Sequence, residues 1–194
     1  MSGTQERAPA AAAGTETIEA GNVTNTNLTG NTITTRWAGF YGEVSGGILL
    51  GDSANNIFYQ WTVSDPTGSY VFAANGTVSD WSSANIKEAN VTDMASYLLE
   101  SAGDNFTNTF TTRQWFNSTS LSINNTWTAT TWQNGTQTTN FTTYALKTAD
   151  NSTMIWAGSV VSNAVAFKNE TTDYQILAPA DTTAQTYYFY LEFR

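Results

Sequence analysis

The chain has 194 residues, only 12% of them charged, and a net charge of −9. It is long enough for one domain of generous size, and too poor in cations to serve a nucleic-acid or anionic-membrane partner. It holds neither Cys nor His, which removes disulfide staples, thiolate and imidazole metal sites, and catalysis by either residue.

Residues 1–17 are rich in Ala, Gly, Thr and Glu without an apolar pattern and read as a flexible tail. In the following "TIEAGNVTNTNLTGNTITTRW", Ile18, Val23, Leu28 and Ile33 recur every five residues through a polar background. Five is neither a helical nor a strand period, and a single coil of a pentapeptide solenoid cannot bury a core. Residues 18–35 are therefore expected to form an extended strand whose isolated apolar anchors seek separate pockets.

Residues 36–194 read as one domain, strand after strand. "NIFYQWTVSD" alternates, with Ile57, Tyr59, Trp61 and Val63 on one face. It stops at "DPTG", a type I turn with Pro66 second and Gly68 fourth. "SYVFAANGTV" predicts a strand that returns through an Asn-Gly hairpin. One short helix is predicted over 93–102, with Asp93 as N-cap, Met94, Tyr97 and Leu98 on one face, and Gly103 as the stop. Strands resume over 106–116, 127–132, 138–146 and 154–161, and "TYYFYLEFR" supplies a last one locked into a sheet. Short strands, frequent turn signals and one inserted helix make the expected fold an all-β sandwich, jelly-roll-like. No apolar run approaches the roughly 18 residues of a bilayer span.

The asparagines carry the strongest signal. With 19 Asn and 34 Thr in 194 residues, chance gives 19 × 34/194, about 3, Asn-x-Thr triplets. There are 11, at Asn22, Asn27, Asn75, Asn90, Asn105, Asn117, Asn124, Asn134, Asn140, Asn151 and Asn169, and none has Pro between. Asn-x-Ser, expected once or twice from 16 Ser, does not occur. Polar alternation on strands would yield Thr-x-Asn and Asn-x-Asn as readily, so it does not explain the direction. N-glycosylation does, with Thr as the better acceptor, and it implies a secreted chain. In five sequons the middle residue is apolar (Val23, Leu28, Val91, Phe106 and Phe141); on a strand this points the middle side chain inward and the Asn outward. The "NGT" sequons at Asn75 and Asn134 are expected at hairpin tips. The opening "MSGTQERAPAAAAG" lacks a basic start followed by an apolar stretch. Secretion then requires a signal that precedes the given start, or a misplaced gene start. Covalent N-linked glycans are the only non-protein groups expected; no cofactor or metal is.

Any enzyme built from these residues would lean on carboxylates, as glycosidases do. Yet Asp52, Asp65, Asp80, Asp104 and Asp150 neighbour Gly, Pro, Asn or Ser, where Asp serves turns, so no catalysis is expected. "GDSANN" offers oxygens at Asp52 and Asn55 without calcium-loop spacing; turn chemistry accounts for it. Trp37, Trp61 and Trp156 lie in apolar company and read as core. Trp115, Trp127 and Trp132 sit among Thr, Asn and Gln and are candidates for exposure and for stacking on sugars, although core or interface packing is the simpler account.

"RWAGFYGEVSGGILLGD" followed by "FYQW" resembles a stretch of sequon-rich secreted archaeal surface proteins, over residues 20–65. In organisation the chain is also similar to archaeal thread and bundling-pilus subunits and, more distantly, to the bacterial biofilm fibre protein TasA. That resemblance implies a β-sandwich subunit assembling by donor-strand complementation, with residues 18–35, anchored by Ile18, Val23, Leu28 and Ile33, filling a groove in the next copy. An added strand gains main-chain hydrogen bonds at an open edge, and a head-to-tail contact that does not close propagates a fibre. The same segment could pair within its own domain as strand one, and both readings stay open. The expectation is a glycosylated structural subunit of an extracellular filament whose partners are copies of itself, with no nucleic acid and no membrane span. The alternative is a monomeric carbohydrate-binding or adhesin module of the cell surface.

Overall fold

A computed structural model describes residues 7–8, 17, 19–23, 25, 30–93, 103–180 and 184–194. The chain divides into two compact units, Met1–Thr35 and Arg36–Arg194.

In the first unit Gly21 takes φ +91° within a turn, and the Asn22 N–H donates to Glu19 O at 3.4 Å. This turn and an isolated bridge at Asn31 replace a continuous strand among the described residues of 18–35. Of the four anchors, Val23 is fully exposed and Ile33 half-buried, while Ile18 and Leu28 lie outside the described residues.

The second unit is nearly all β. Its strands are β1 (Trp37–Gly42), β2 (Gly47–Gly51), β3 (Ile57–Thr62), β4 (Tyr70–Ala74), β5 (Ile86–Glu88), β6 (Thr112–Asn117), β7 (Ser122–Gln133), β8 (Thr136–Thr148), β9 (Met154–Ser159), β10 (Ala164–Val165), β11 (Thr171–Thr172), β12 (Tyr174–Pro179) and β13 (Tyr188–Glu192), with one helical turn, α1 (Phe106–Thr109). Seven strands form one antiparallel sheet in the order β13-β4-β9-β8-β7-β6, with β5 alongside β8. The run β6 to β9 is a meander because short turns join consecutive strands. Asn134 (φ 45°) and Gly135 (φ 78°) form the two-residue turn between β7 and β8, both left-handed as a type I′ hairpin needs.

Both faces of this sheet are covered, which makes the fold sandwich-like. Val71, Ala73, Ala145 and Trp156 point to one side; Phe72, Ala74, Tyr144, Leu146, Ile155 and Ala157 point to the other. Strands β4 and β9 therefore read as continuous apolar runs, not alternating ones. The ribbon β1–β12 closes the first face through Ile176, Ala178, Trp37 and Phe40. It comes so near that a Cβ on Gly158 would sit 2.3 Å from Ile176 Cγ1. Val78, Trp81 and Leu121 pack on the second face, in one cluster with Ile86 and Phe116 of the sheet's own β5 and β6.

Several local expectations are corrected. Residues 106–109, expected in a strand, form α1. A spacing of four puts Phe106 and Phe110 on one side in either conformation, and the Asn105 cap decides for the helix, leaving the rings stacked at 4.8 Å. The helix predicted over 93–102 lies outside the described residues apart from Asp93. At "DPTG" the turn falls one residue later: the Ser69 N–H donates to Pro66 O at 2.9 Å, with Gly68 third at φ +86°, the pattern of type II. The "NGT" at Asn75 is no hairpin tip but the end of β4, where the Asn75 N–H donates to Met154 O at 3.1 Å and Asn75 Oδ1 accepts from Met154 N at 2.8 Å.

Candidate functional site

Ten of the eleven sequon asparagines are described; Asn27 is not. Seven are exposed: Asn22, Asn90, Asn124, Asn134, Asn140, Asn151 and Asn169. Three of them share a backbone cause, because Asn tolerates the left-handed conformation better than other side-chain-bearing residues. Asn134, Asn151 (φ 60°) and Asn169 (φ 63°) occupy left-handed positions at hairpin tips.

The two sequons inside strands sit on bulges. Gln114 pairs with Thr126 and Phe116 with Ile123, so Trp115 alone opposes Asn124 and Asn125, the latter at φ 61°. This bulge breaks strict alternation, which is why Asn124 faces water while Thr126 is buried. In β8, Thr130 pairs with Thr142 and Trp132 with Gln137, so residues 138–141 bulge out against Thr131, exposing Asn140 and burying Phe141.

An N-linked glycan joins at Nδ2 and leaves Oδ1 a carbonyl. Asn90 Oδ1 accepts from Asp93 N at 3.1 Å and Asn151 Oδ1 from Lys147 Nζ at 2.7 Å, contacts a glycan would preserve. Four asparagines outside sequons instead donate through Nδ2: Asn56, Asn85, Asn108 and Asn163 reach Asp52, Asp80, Gly103 and Ser162 at 2.8 to 3.2 Å.

Three sequons depart from the exposed pattern. Asn75 and Asn117 are half-buried. Asn105 is 8% exposed because its Oδ1 accepts from Asn108 N at 2.8 Å as the cap of α1. The strand rule of inward middle and outward Asn holds for Phe141 and for Val91, which packs on the core. It fails at Phe106, where helical geometry draws Asn105 inward as well, and at the exposed Val23; Leu28 lies outside the described residues.

A second feature was not anticipated. Strands β2 and β3 pair only with each other among the described strands. Ile48, Leu49 and Leu50 of β2 and Ile57, Phe58, Tyr59 and Trp61 of β3 all stand in water, Phe58 at 84%. Trp61, expected in the core, instead meets Tyr59 at 4.8 Å with the rings tilted by 55°. The signal lay in "ILL" and "IFY", apolar at both parities: such a run belongs to a strand covered on both faces, or to one awaiting cover.

Four of the five aspartates singled out from the sequence, Asp52, Asp65, Asp80 and Asp150, serve turns. Asp52 Oδ1 accepts from Ala54 N (3.0 Å) and Asn56 N (2.9 Å), and its Oδ2 accepts from Asn56 Nδ2 (2.8 Å). The Asn56 side chain, first among these, holds its pKa below the usual carboxylate range. Asp65, Asp80 and Asp150 likewise accept from the N–H two residues on. Hydrogen bonds from the Thr148 hydroxyl and from Ser152 pull Asp150 down to about 2.

Among the aromatics, Trp156 is buried and the half-buried Trp37 donates its Nε1–H to Asp104 O at 2.5 Å. Trp115 and Trp132 are exposed, and Trp127 lies half-buried under the Arg113 guanidinium, 4.0 Å from its ring. Among the described residues no helix is long and apolar enough to cross a membrane. Comparison of the chain with protein-family models, curated proteins and solved structures returns no match.

Proposed function

We propose that this chain is a secreted, N-glycosylated structural subunit of an archaeal extracellular filament that polymerises by inserting residues 18–35 of one copy into the next. The observation that carries the reading is a division of the surface. The exposed sequons lie at Asn22 and from Asn90 onward, with Asn134, Asn151 and Asn169 at hairpin tips and Asn124 and Asn140 on bulges. No sequon falls between Asn27 and Asn75, and that sugar-free stretch holds the uncovered β2–β3 hairpin.

The seven apolar residues of the hairpin expose on the order of 900 Å², counting roughly 150–250 Å² for each large ring. Summed over both faces of the ribbon, that is about one partner's share of a standard interface. Among the described strands neither β2 nor β3 has a partner on its outer edge, and an edge of that kind offers main-chain groups that an added strand can pair with. A second copy of this chain is the partner the reading assigns, through its Thr-rich segment 18–35.

The test is deletion of residues 1–35. Fibres seen by negative-stain microscopy for the full chain should be absent for the truncated one, whose domain remains folded by circular dichroism. Normal fibres from the truncated chain refute donor insertion. The exposed Trp115 and Trp132 favour the second reading, a carbohydrate-binding or adhesin module. Under it, sugar binding by the intact protein should fall on changing either residue to Ala.

A further inference from the structure

Outside the β2–β3 hairpin, five aromatic residues are prominently exposed among those described: Tyr41, Trp115, Trp132, Phe167 and Tyr188. Three of them stand two residues before a sequon asparagine: Trp115 before Asn117, Trp132 before Asn134, and Phe167 before Asn169. Random placement would put 5 × 11/194, about 0.3, of five residues at that offset, so the coincidence calls for a cause.

We propose that Trp115, Trp132 and Phe167 are stacking platforms for the first pyranose of the glycans on Asn117, Asn134 and Asn169. The inference rests on the reading of the sequons as glycan carriers.

The geometry suits the task. Trp115 and Asn117, both in β6, are residues i and i+2 of one strand and share a face about 7 Å apart; Asn134 and Asn169 follow Trp132 and Phe167 into left-handed turns. Burial alternates to match: Trp132 and Asn134 face water with Gln133 buried between them, and Trp115 and Asn117 flank the buried Phe116. All three pairs sit at hairpin ends, where a sugar attached at Nδ2 can fold back along the strand instead of meeting the next turn. Asn117 pairs with Ser122 as β6 closes on β7; Asn134 opens the type I′ turn; Asn169 lies in the loop between β10 and β11.

Trp115 and Phe167 are each steadied by a neighbour while much of the ring stays in water, and the Lys168 ammonium lies over the Phe167 ring at 5.5 Å. Trp115 Nε1 donates across the hairpin to Ser122 Oγ at 3.1 Å. Phe167 meets Tyr41 edge-on, at 5.1 Å and 81°. Trp132 is 60% exposed, Trp115 58% and Phe167 44%. A pyranose presents several C–H groups on one side; against the negative face of a ring these gain dispersion and electrostatic contact, and apolar area on both leaves water. The offset also separates these sequons from the others. At Asn75, Asn90, Asn124, Asn140 and Asn151 the corresponding residue is Ala73, Glu88, Ser122, Thr138 or Ala149.

The test uses the full chain made in an N-glycosylating secretory host, with site occupancy read by glycopeptide mass spectrometry. Thermal unfolding is compared for the glycosylated protein and Asn134→Gln, each with Trp132 and with Trp132→Leu. With Trp132 present the Asn134 glycan should raise Tm by about 2–4 °C; with leucine the gain should vanish, and Trp132→Tyr should restore it. An equal gain in both backgrounds, at full occupancy of Asn134, overturns the platform and leaves the glycoprotein reading standing. Bare Asn117, Asn134 and Asn169 on a chain glycosylated elsewhere overturns the platform alone. A bare polypeptide at every sequon overturns both.

Discussion

Phe58→Ala separates a surface that builds a fibre from one that merely happens to be apolar. Phe58 keeps 84% of its surface in water, so nearly all of the roughly 1.5–3 kcal/mol that burying such a side chain yields is still available to a partner. Truncation near the centre of a contact should cost about 2–3 kcal/mol of subunit addition. At about 1.4 kcal/mol per decade, the critical concentration for polymerisation rises about 30- to 150-fold. The isolated subunit should scarcely notice. The small buried fraction is worth a few tenths of a kcal/mol, about 1 °C or less in Tm for a domain of this size. Sedimentation of polymer against free subunit gives the first quantity and a thermal melt of unpolymerised protein the second. An unchanged critical concentration would remove the hairpin from the assembly. A Tm drop above about 5 °C would mean that Phe58 supports its own subunit, against its exposure.

Asn105, although in a sequon, should remain bare in glycopeptide spectra in which Asn134, Asn151 and Asn169 are occupied, and Asn105→Ala should cost about 1 kcal/mol through loss of the α1 cap, read by chemical denaturation. Asp173 is buried and accepts from Val44 N and Asn163 N, both at 2.8 Å, so Asp173→Ala should cost about 2–4 kcal/mol by orphaning both N–H groups. Burial, and then its neighbour Tyr70, pushes the Tyr144 phenol up to about 12 from an ordinary 10.0. The folded state holds the neutral form, so this contribution is intact below pH 10.0 and is lost as pH rises towards about 12. Melts around pH 9 and around pH 11 should show that loss in the native chain and less of it in Tyr144→Phe. At the acid end, the depressed Asp150 supports the fold above the ordinary carboxylate value of 3.8 and ceases to do so as pH falls towards about 2, visible as a smaller acid sensitivity in Asp150→Asn.

The strand content was legible because Thr, Val, Tyr and Trp runs broken by turn residues admit little else. Asn134-Gly135 was readable as a hairpin because both residues had to be left-handed, and only such residues take that conformation cheaply. Asn75-Gly76 carries the same letters without the turn. There the Asn75 side chain bonds Met154 across the sheet, a long-range contact that no local pattern encodes. The bulges that expose Asn124 and Asn140 escaped for a similar reason, since register depends on the partner strand. Trp61 and Trp156 have equally apolar neighbours, yet one stands in water and the other at the centre of a core. What separates them is which strands receive a covering layer, a property of topology and not of sequence period.

A chain with 12% charged residues and 40% hydrophobic ones has few ordinary means of staying dispersed. Under the glycoprotein reading, the sugars supply the hydration that charge supplies elsewhere, and their placement then restricts where protein can meet protein. Glycans at the tips by Asn134, Asn151 and Asn169 would block docking there. Sequons at Asn117 and Asn124 likewise guard the hairpin of β6, which among the described strands pairs only with β7 and would otherwise offer a free edge. The hairpin β2–β3 has no such guard: it lacks a sequon, and its strands carry no charged residue. The substitution Gln60→Asn, two residues ahead of Thr62 with Trp61 between, would create a sequon and set a glycan on that surface. If the bare hairpin is where copies join, occupancy of the new site should stop fibre growth while the subunit still melts at its native temperature. Fibres that carry that glycan would show that the junction lies elsewhere.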